Sequence, residues 1–291
     1  MKVSGFTFMR NCQRLGYPFA ASVRSILPLV DEYVVALGPS DDGTEEVLRG
    51  IGDPKIRILP TRWNEQIRSD YSVKGFVYGQ QKSVALFNCT GDWAFYLEAD
   101  EVVHEQDLPR IRSAMERHLN DERVEALAFD YLHFYGNANT YAWSPRWYRT
   151  EARIIRNTIP VWGPEGLFFV VLDTHKRGRY PRAAHTGATI YHYGWVKTEA
   201  QINQRKQGVA KYWTDKPLPR TVYAEVDPAT LRRFEGTHPQ VMEDWIEPAE
   251  GLFPANPNHK LTLREKKHRV MLKLEQWFGI KFCKTHYRLV R

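Results

Sequence analysis

Cysteine is scarce in this chain of 291 residues: Cys12, Cys89 and Cys283 form no CxxC pair and, being odd in number, cannot all be bridged. That excludes a disulfide framework and fits a reducing compartment, so the cytoplasm is the expected location. Long apolar runs are also missing. Stretches such as Leu167 to Leu172 fall far short of the ~20 residues that a membrane-spanning helix needs. Met1-Lys2 leads through mixed residues to Arg10-Asn11, without the apolar core of a secretory leader. Neither an internal repeat nor a low-complexity segment is visible. With 43% hydrophobic and 26% charged residues, the composition excludes a disordered or fibrous chain and leaves room for one large domain or two small ones.

The formal net charge of +7 is unevenly placed. From residue 256 onward, ten lysines or arginines face two glutamates, a surplus that accounts for all of the net charge. The preceding residues are close to neutral, so no general affinity for nucleic acid is expected of the body. Aromatic residues are plentiful, with nine Trp, fifteen Tyr and fourteen Phe, enough to pack a core and still offer rings to bases or sugars.

Short β-favouring apolar runs at Val3–Met9, Tyr33–Leu37, Ile56–Leu59 and Trp93–Leu97 predict strands. Helical spacing predicts helices over Cys12–Leu29, Glu45–Arg49 and about Val77–Asn88. The alternation predicts βαβ units around a parallel sheet. Beyond it, Val124–Tyr131 and Ala152–Arg156 read as strands separated by an aromatic loop from Phe134 to Tyr148. Thr189–Tyr191 reads as a short strand, Lys197–Trp213 as a helix, and the chain is dotted with proline from about Pro217.

Four places could carry chemistry. Glu98-Ala-Asp100-Glu101 sets three acids at the C-terminal end of an apolar strand, the edge where open α/β sheets hold ligands. Such acids repel one another unless a cation joins them, and hard oxygen ligands suit Mg²⁺ or Mn²⁺; a solvated loop capping the next helix is the plainer alternative. Gly38-Pro-Ser40-Asp-Asp-Gly-Thr44 joins a strand to a helix and is either an ordinary turn or a phosphate cradle. His185 and His192 could supply a ligand beside the acids or be merely hydrogen-bonded. Glu165, in Trp162-Gly-Pro-Glu-Gly166, could hold a raised pKa among aromatics and take a proton, or be a surface glutamate.

The order of these pieces resembles the family-two glycosyltransferases with a GT-A fold. Phe6-Thr-Phe-Met-Arg-Asn11 resembles their opening strand. Asp31-Glu-Tyr-Val-Val-Ala-Leu-Gly-Pro-Ser-Asp-Asp-Gly-Thr44 and Gly91-Asp-Trp-Ala-Phe-Tyr-Leu-Glu-Ala-Asp-Glu101 resemble the two motifs that follow. The resemblance is nearest to bacterial enzymes likened to lipopolysaccharide-core transferases. It is strong over the first hundred residues and looser to about residue 215.

The resemblance implies a GT-A, Rossmann-like α/β fold: a mixed, mostly parallel central sheet flanked by helices. Residues 1–215 would form the catalytic domain, with 1–101 as the nucleotide-sugar half and 102–215 as the acceptor half. A C-terminal extension over 216–291 would be basic and helical from about residue 256. It implies an inverting, metal-dependent transfer of sugar from a nucleotide-sugar donor to a glycan or lipid-linked acceptor in cell-envelope polysaccharide synthesis. By the same resemblance Asp100, Glu98 and His192 would hold Mg²⁺ or Mn²⁺. Phe8, Arg10, Gly38, Ser40, Gln81 and Lys82 would line the donor site together with Glu98, and Glu165 would be the base, with Asp173 or Glu151 as its substitutes.

Three positions depart from the family pattern. Leu37-Gly38 stands where an Asp usually reads the base, Glu98 replaces the first Asp of the DxD motif, and Cys12 stands where this branch often has Glu. Two other readings are open: a sugar-phosphate nucleotidyltransferase, whose Gly-rich loop is absent after the first strand, and a non-catalytic nucleic-acid binder using the tail. Within the tail, Leu263, Val270, Leu274 and Trp277 share a helix face widened by Met271 and Phe278 and interrupted by Lys267. That face could lie on an anionic membrane as a peripheral contact or pack on the catalytic domain.

Overall fold

A computed structural model describes residues 1–67, 74–214, 216–279 and 281–290, so the tail's Arg291 lies outside the described residues. The N-terminal half is built as the apolar runs dictate. Strands β1 (Val3–Met9), β2 (Glu32–Leu37), β3 (Ile56–Pro60) and β4 (Trp93–Tyr96) alternate with helices α1 (Phe19–Ile26), α2 (Thr44–Gly50) and α3 (Phe76–Leu86). The strands are parallel and ordered β3-β2-β1-β4. β1 and β4 are covered on both faces, hence their unbroken hydrophobicity. Phe6 and Tyr96 pack with α3 on one side, while Trp93 and Phe95 pack on the other with α1. Helix α1 is shorter than the expected Cys12–Leu29, because Pro18 disfavours helical backbone at Tyr17 and residues 11–17 form turns.

The second half extends the sheet with mixed pairings. β5 (Glu101–Val103) and α4 (Leu108–Arg117) precede β6 (Ala126–Tyr135), β7 (Asn137–Ala142), β8 (Thr150–Arg156) and the small sheet of β9 (Val161–Trp162), β10 (Val170–Leu172) and β11 (Gly178–Arg179). β8 bridges β4 and β6, antiparallel to both. The expected loop from Phe134 to Tyr148 is in fact the end of β6, a turn at Gly136, and β7. The expected short strand at Thr189–Tyr191 is the middle of β12 (Arg182–Trp195), fourteen residues long. β12 lies between β6 and β5, and this brings His192 opposite both His133 and Glu101.

After β12 come α5 (Glu199–Ala210), β13 (Leu231–Arg233), α6 (Leu263–Phe278) and β14 (Arg288–Leu289). Thr198 and Gln201 close a capping box at the start of α5. β13 pairs with β7 and β14 with β12, so the C-terminal stretch adds strands to the same sheet. α6 does not pack its apolar stripe inward. Leu263 is 85% exposed, Val270 56%, Trp277 71% and Phe278 67%. The side that meets the body is polar: Arg269 pairs with Asp227 at 2.6 Å, Glu275 with Arg149, and His268 is buried. No described helix is long and apolar enough to cross a membrane.

Candidate active site

The three acids after β4 have three different fates. Arg153, fully buried on β8, donates to both oxygens of Glu101 at 2.8 and 2.7 Å, to Glu98 Oε1 at 3.1 Å and to the Leu167 carbonyl at 2.5 Å. The Tyr131 hydroxyl donates to Glu101 at 3.0 Å. The repulsion between the acids is thus offset in part by an internal arginine, and Glu101 is its core counter-ion. Glu98 reaches Arg153 and lines a cavity. Burial and the neighbouring Glu101 push its pKa up to about 7. Asp100 alone is left for a ligand. Burial works against its charge, but His192 and Arg205 hold its pKa down at about 2.

His192 is oriented by a chain of hydrogen bonds. His133 Nε2 lies 2.6 Å from the Tyr148 carbonyl, which can only accept, so His133 carries its proton there and its Nδ1 is an acceptor. Burial and His192 keep the His133 pKa well below its ordinary value. The 3.0 Å contact between the two Nδ1 atoms is therefore donated by His192. Its Nε2 is left to face Asp100 Oδ2 at 3.6 Å. Two ligands held at about 2.1 Å from one divalent ion stand at this kind of separation. Gly194 is required beside them, because a Cβ there would lie 2.8 Å from His192 Nε2 and inside contact with Asp100 Oδ2. Arg205, on α5, donates to the Gly194 carbonyl at 2.8 Å and stands 3.8 Å from Asp100.

Of the expected metal set, Asp100 and His192 face one another while Glu98 is turned to Arg153. Among the described residues no third His, Cys, Asp or Glu converges on Asp100 and His192, because Glu98 is engaged by Arg153. His185 lies elsewhere, 3.5 Å from Asp130.

Above Asp100 a cavity of about 80 Å³ is lined by Phe8, Arg10, Tyr17, Trp63, Tyr78 and Tyr96. Phe8 meets Tyr78 edge-on at 5.3 Å and stacks with Tyr96 at 6.3 Å. The Trp63 Nε1 and the Tyr96 hydroxyl are buried without a hydrogen-bond partner among the described residues. Gly38 admits Trp63, since a Cβ there would lie 2.7 Å from the indole Cδ1. Ser40 does not face the cavity: its hydroxyl donates to the Gly38 carbonyl and accepts from the Asn11 amide, both at 3.0 Å. Arg10 and Lys211 both pair with Glu65, and the Tyr212 hydroxyl donates to it at 2.9 Å. Burial opposes that charge, but the three donors hold the Glu65 carboxyl down at about 2.

Two donor-site expectations need correction. Lys82 is fully buried with Nζ bonded to the Gly166 and Phe168 carbonyls, both at 3.0 Å, and it sits 4.1 Å from the Tyr96 ring centre. It anchors the loop that carries Glu165 rather than reaching a nucleotide. Gln81 is buried too: its amide nitrogen donates to the Arg62 carbonyl at 2.9 Å, and its Oε1 has no partner among the described residues. Glu165 itself is half-buried and lies outside the Asp100 cavity, although the neighbouring Gly166 abuts Phe8 and Tyr78. Burial raises its pKa, with His286 and Lys82 opposing. Of its substitutes, Glu151 is fully buried against His286 and Asp173 caps an exposed turn.

Arg153, Arg205, His133 and Trp63 are the residues that pattern reading misses. Only Arg153 left a signal, a charge in the apolar run Ala152-Arg-Ile-Ile155.

No family profile matches the chain, and no curated protein sequence matches it. Among solved structures it is similar to glucosyl-3-phosphoglycerate synthase from Mycobacterium tuberculosis in complex with Mn²⁺, uridine diphosphate and phosphoglyceric acid, at 21% identity over 45% of this chain and 43% of that one, with a TM-score of 0.33. It is also similar to S. aureus TarS 1-349, at 15% identity over 54% of this chain and 47% of that one, with a TM-score of 0.37. The chain thus spans less than half the length of either.

Proposed function

We propose that this chain is a glycosyltransferase that moves a sugar from a nucleotide donor to a hydroxyl of a glycan or lipid-linked acceptor, with inversion. The observation that carries the reading is the Asp100–His192 pair, oriented by His133 and kept open by Gly194 below an aromatic cavity. The pair fits Mg²⁺ or Mn²⁺, since such ions keep water and substrate phosphate among their ligands and need few protein groups. When bound, the ion would neutralise the departing diphosphate.

The chain's own groups divide the remaining work. Phe8, Trp63 and Tyr96 offer rings and, among the described residues, two donors without partners to the base, and Arg10 offers charge to phosphate once released from Glu65. An 80 Å³ cavity is smaller than the ~300 Å³ that a ligand cleft occupies, so the donor enters when Trp63 and Tyr212 part. Glu165, on the loop that Lys82 anchors beside Phe8 and Tyr78, takes the acceptor proton, its raised pKa suiting it to that task. The outward apolar stripe of α6, flanked by Lys266, Lys267 and Lys273, makes a peripheral contact with an anionic membrane where a lipid-linked acceptor resides.

Thermal-shift measurement with a panel of nucleoside diphosphates and nucleotide sugars, with and without Mn²⁺, tests the reading. A metal-dependent stabilisation by one base is expected, followed by release of that nucleoside diphosphate on turnover. Release of pyrophosphate would instead make the chain a nucleotidyltransferase, and no shift with any nucleotide would overturn the donor site.

A further inference from the structure

A second cavity, of about 400 Å³, lies behind the wall that carries His192. Trp147 and Trp195, both half-buried, form part of its lining. Trp147 packs on His133 at 5.1 Å and on Trp195 at 5.4 Å. Arg205, which faces Asp100 on one side, lies 5.6 Å from the Trp195 ring centre on the other. The two cavities therefore share a thin partition.

Four cationic side chains and three acids line this cavity, and the acids have partners of their own. Its acids are already satisfied: Glu225 by His259 at 2.7 Å and Asn256 at 2.8 Å, Glu265 by the Thr262 amide and hydroxyl at 2.8 Å, and Asp227 by Arg269 at 2.8 and 2.6 Å. Arg146, whose guanidinium lies 5.9 Å from the Trp147 ring centre, and Arg264 have no carboxylate partner among the described residues, whereas Arg220 pairs with Glu199 at 3.4 Å and Lys206 donates to the Pro219 carbonyl and the Thr221 hydroxyl. The excess is felt by the neighbours. After burial, Arg264 and Arg146 depress the pKa of His268, and Arg146 and Arg205 depress that of Lys206.

Indole rings beside unpaired guanidinium groups recognise a ligand with an apolar C–H face and an anionic substituent. We propose that this cavity binds an anionic saccharide, its ring against Trp147 and Trp195 and its phosphate or carboxylate on Arg146 and Arg264. Its role as the anchor for a part of the acceptor remote from the reacting hydroxyl rests on the transferase reading. The binding itself does not.

The test is titration of the full chain, without nucleotide or metal, by glucose 6-phosphate, glucuronate, glucose and inorganic phosphate, read by tryptophan fluorescence. At least one of the charged sugars saturates the signal, and which one does identifies the anionic group. Glucose and inorganic phosphate each bind far more weakly. The variant R146Q/R264Q, whose substitutions are on the cavity rim, melts like the wild type, keeps the metal-dependent nucleotide shift and binds the charged sugar about tenfold or more weakly. Equal binding by glucose, equal binding by inorganic phosphate, no saturation by either charged sugar, or unchanged affinity in the variant would each overturn the proposal. Loss of the wild-type nucleotide shift sinks the transferase reading instead and leaves saccharide binding to stand or fall on this titration.

Discussion

Arg153 grips Glu101 through two hydrogen bonds, at 2.8 and 2.7 Å, with both side chains fully buried in the sheet. This pair explains how three acids can follow one strand. Glu101 is neutralised from below, Glu98 shares the same guanidinium, and Asp100 is left facing the site.

Replacing Arg153 by Met should therefore do more than remove a contact. It leaves Glu101 buried without its counter-ion, and breaking a buried pair in this way costs about 3–5 kcal/mol. For a chain of this size the melting temperature should fall by roughly 10 °C, as followed by circular dichroism. The double variant R153M/E101M should recover part of the loss, because the buried charge of Glu101 goes with its counter-ion, while Glu98, 30% exposed at the cavity, still loses its partner. A single variant that melts like the wild type would show that the pair is not structural.

Asp100→Asn should behave in the opposite way. The fold survives, since Arg205 keeps its bond to the Gly194 carbonyl and Arg153 is untouched. The metal-dependent nucleotide shift should vanish, and turnover should drop by at least about a hundredfold with the loss of charge stabilisation at the leaving group. Turnover near the wild-type value would remove Asp100 from the mechanism.

The parallel half of the fold was legible because β1 and β4 are buried on both faces and so advertise themselves as unbroken apolar runs. β12 was not. Its fourteen residues mix Ala, Thr, Gly and His, and only Thr189–Tyr191 looks like a strand until β6 and β5 pair along it. Asp100 and His192 could be named from motif order, but their tautomer chain depends on His133, which pairing in the sheet supplies 59 residues away from His192. The hold of Arg153 on Glu98, 55 residues apart, is invisible to local spacing. The stripe on α6 was visible, whereas its outward direction was fixed by Arg269–Asp227 and Arg149–Glu275, contacts 42 and 126 residues long.

That outward stripe gives a third prediction. Full-length protein should sediment with vesicles containing anionic lipid better than with neutral ones, and less so as salt rises. Trp277→Glu with Phe278→Glu removes two exposed apolar side chains, each worth about 1.5–3 kcal/mol when buried. Vesicle binding should then fall by more than about tenfold with no change in melting temperature. Equal binding of the variant would take α6 out of any membrane contact.

Lys197 makes the stability of the molecule pH-dependent in a direction that can be worked out. It is 8% exposed, bonds the Gly16 carbonyl and lies 4.8 Å from the Tyr17 ring centre. Burial lowers its pKa to about 8, although Asp100 pulls the other way. In the unfolded chain the same amine titrates near 10.4. Below pH 8 both states carry the proton, and the cost of burying the charge, on the order of 3 kcal/mol, is fully present. Between pH 8 and about 10.4 the unfolded state binds more protons than the folded one, so this residue's contribution to stability rises with pH. Lys197→Met has no proton to lose. Its stability relative to the wild type should be greatest near pH 7 and shrink toward pH 10, as measured by parallel denaturant melts across that range. A difference that stays constant with pH would mean that Lys197 titrates alike in both states, and that its burial beside Gly16 carries no protonation penalty.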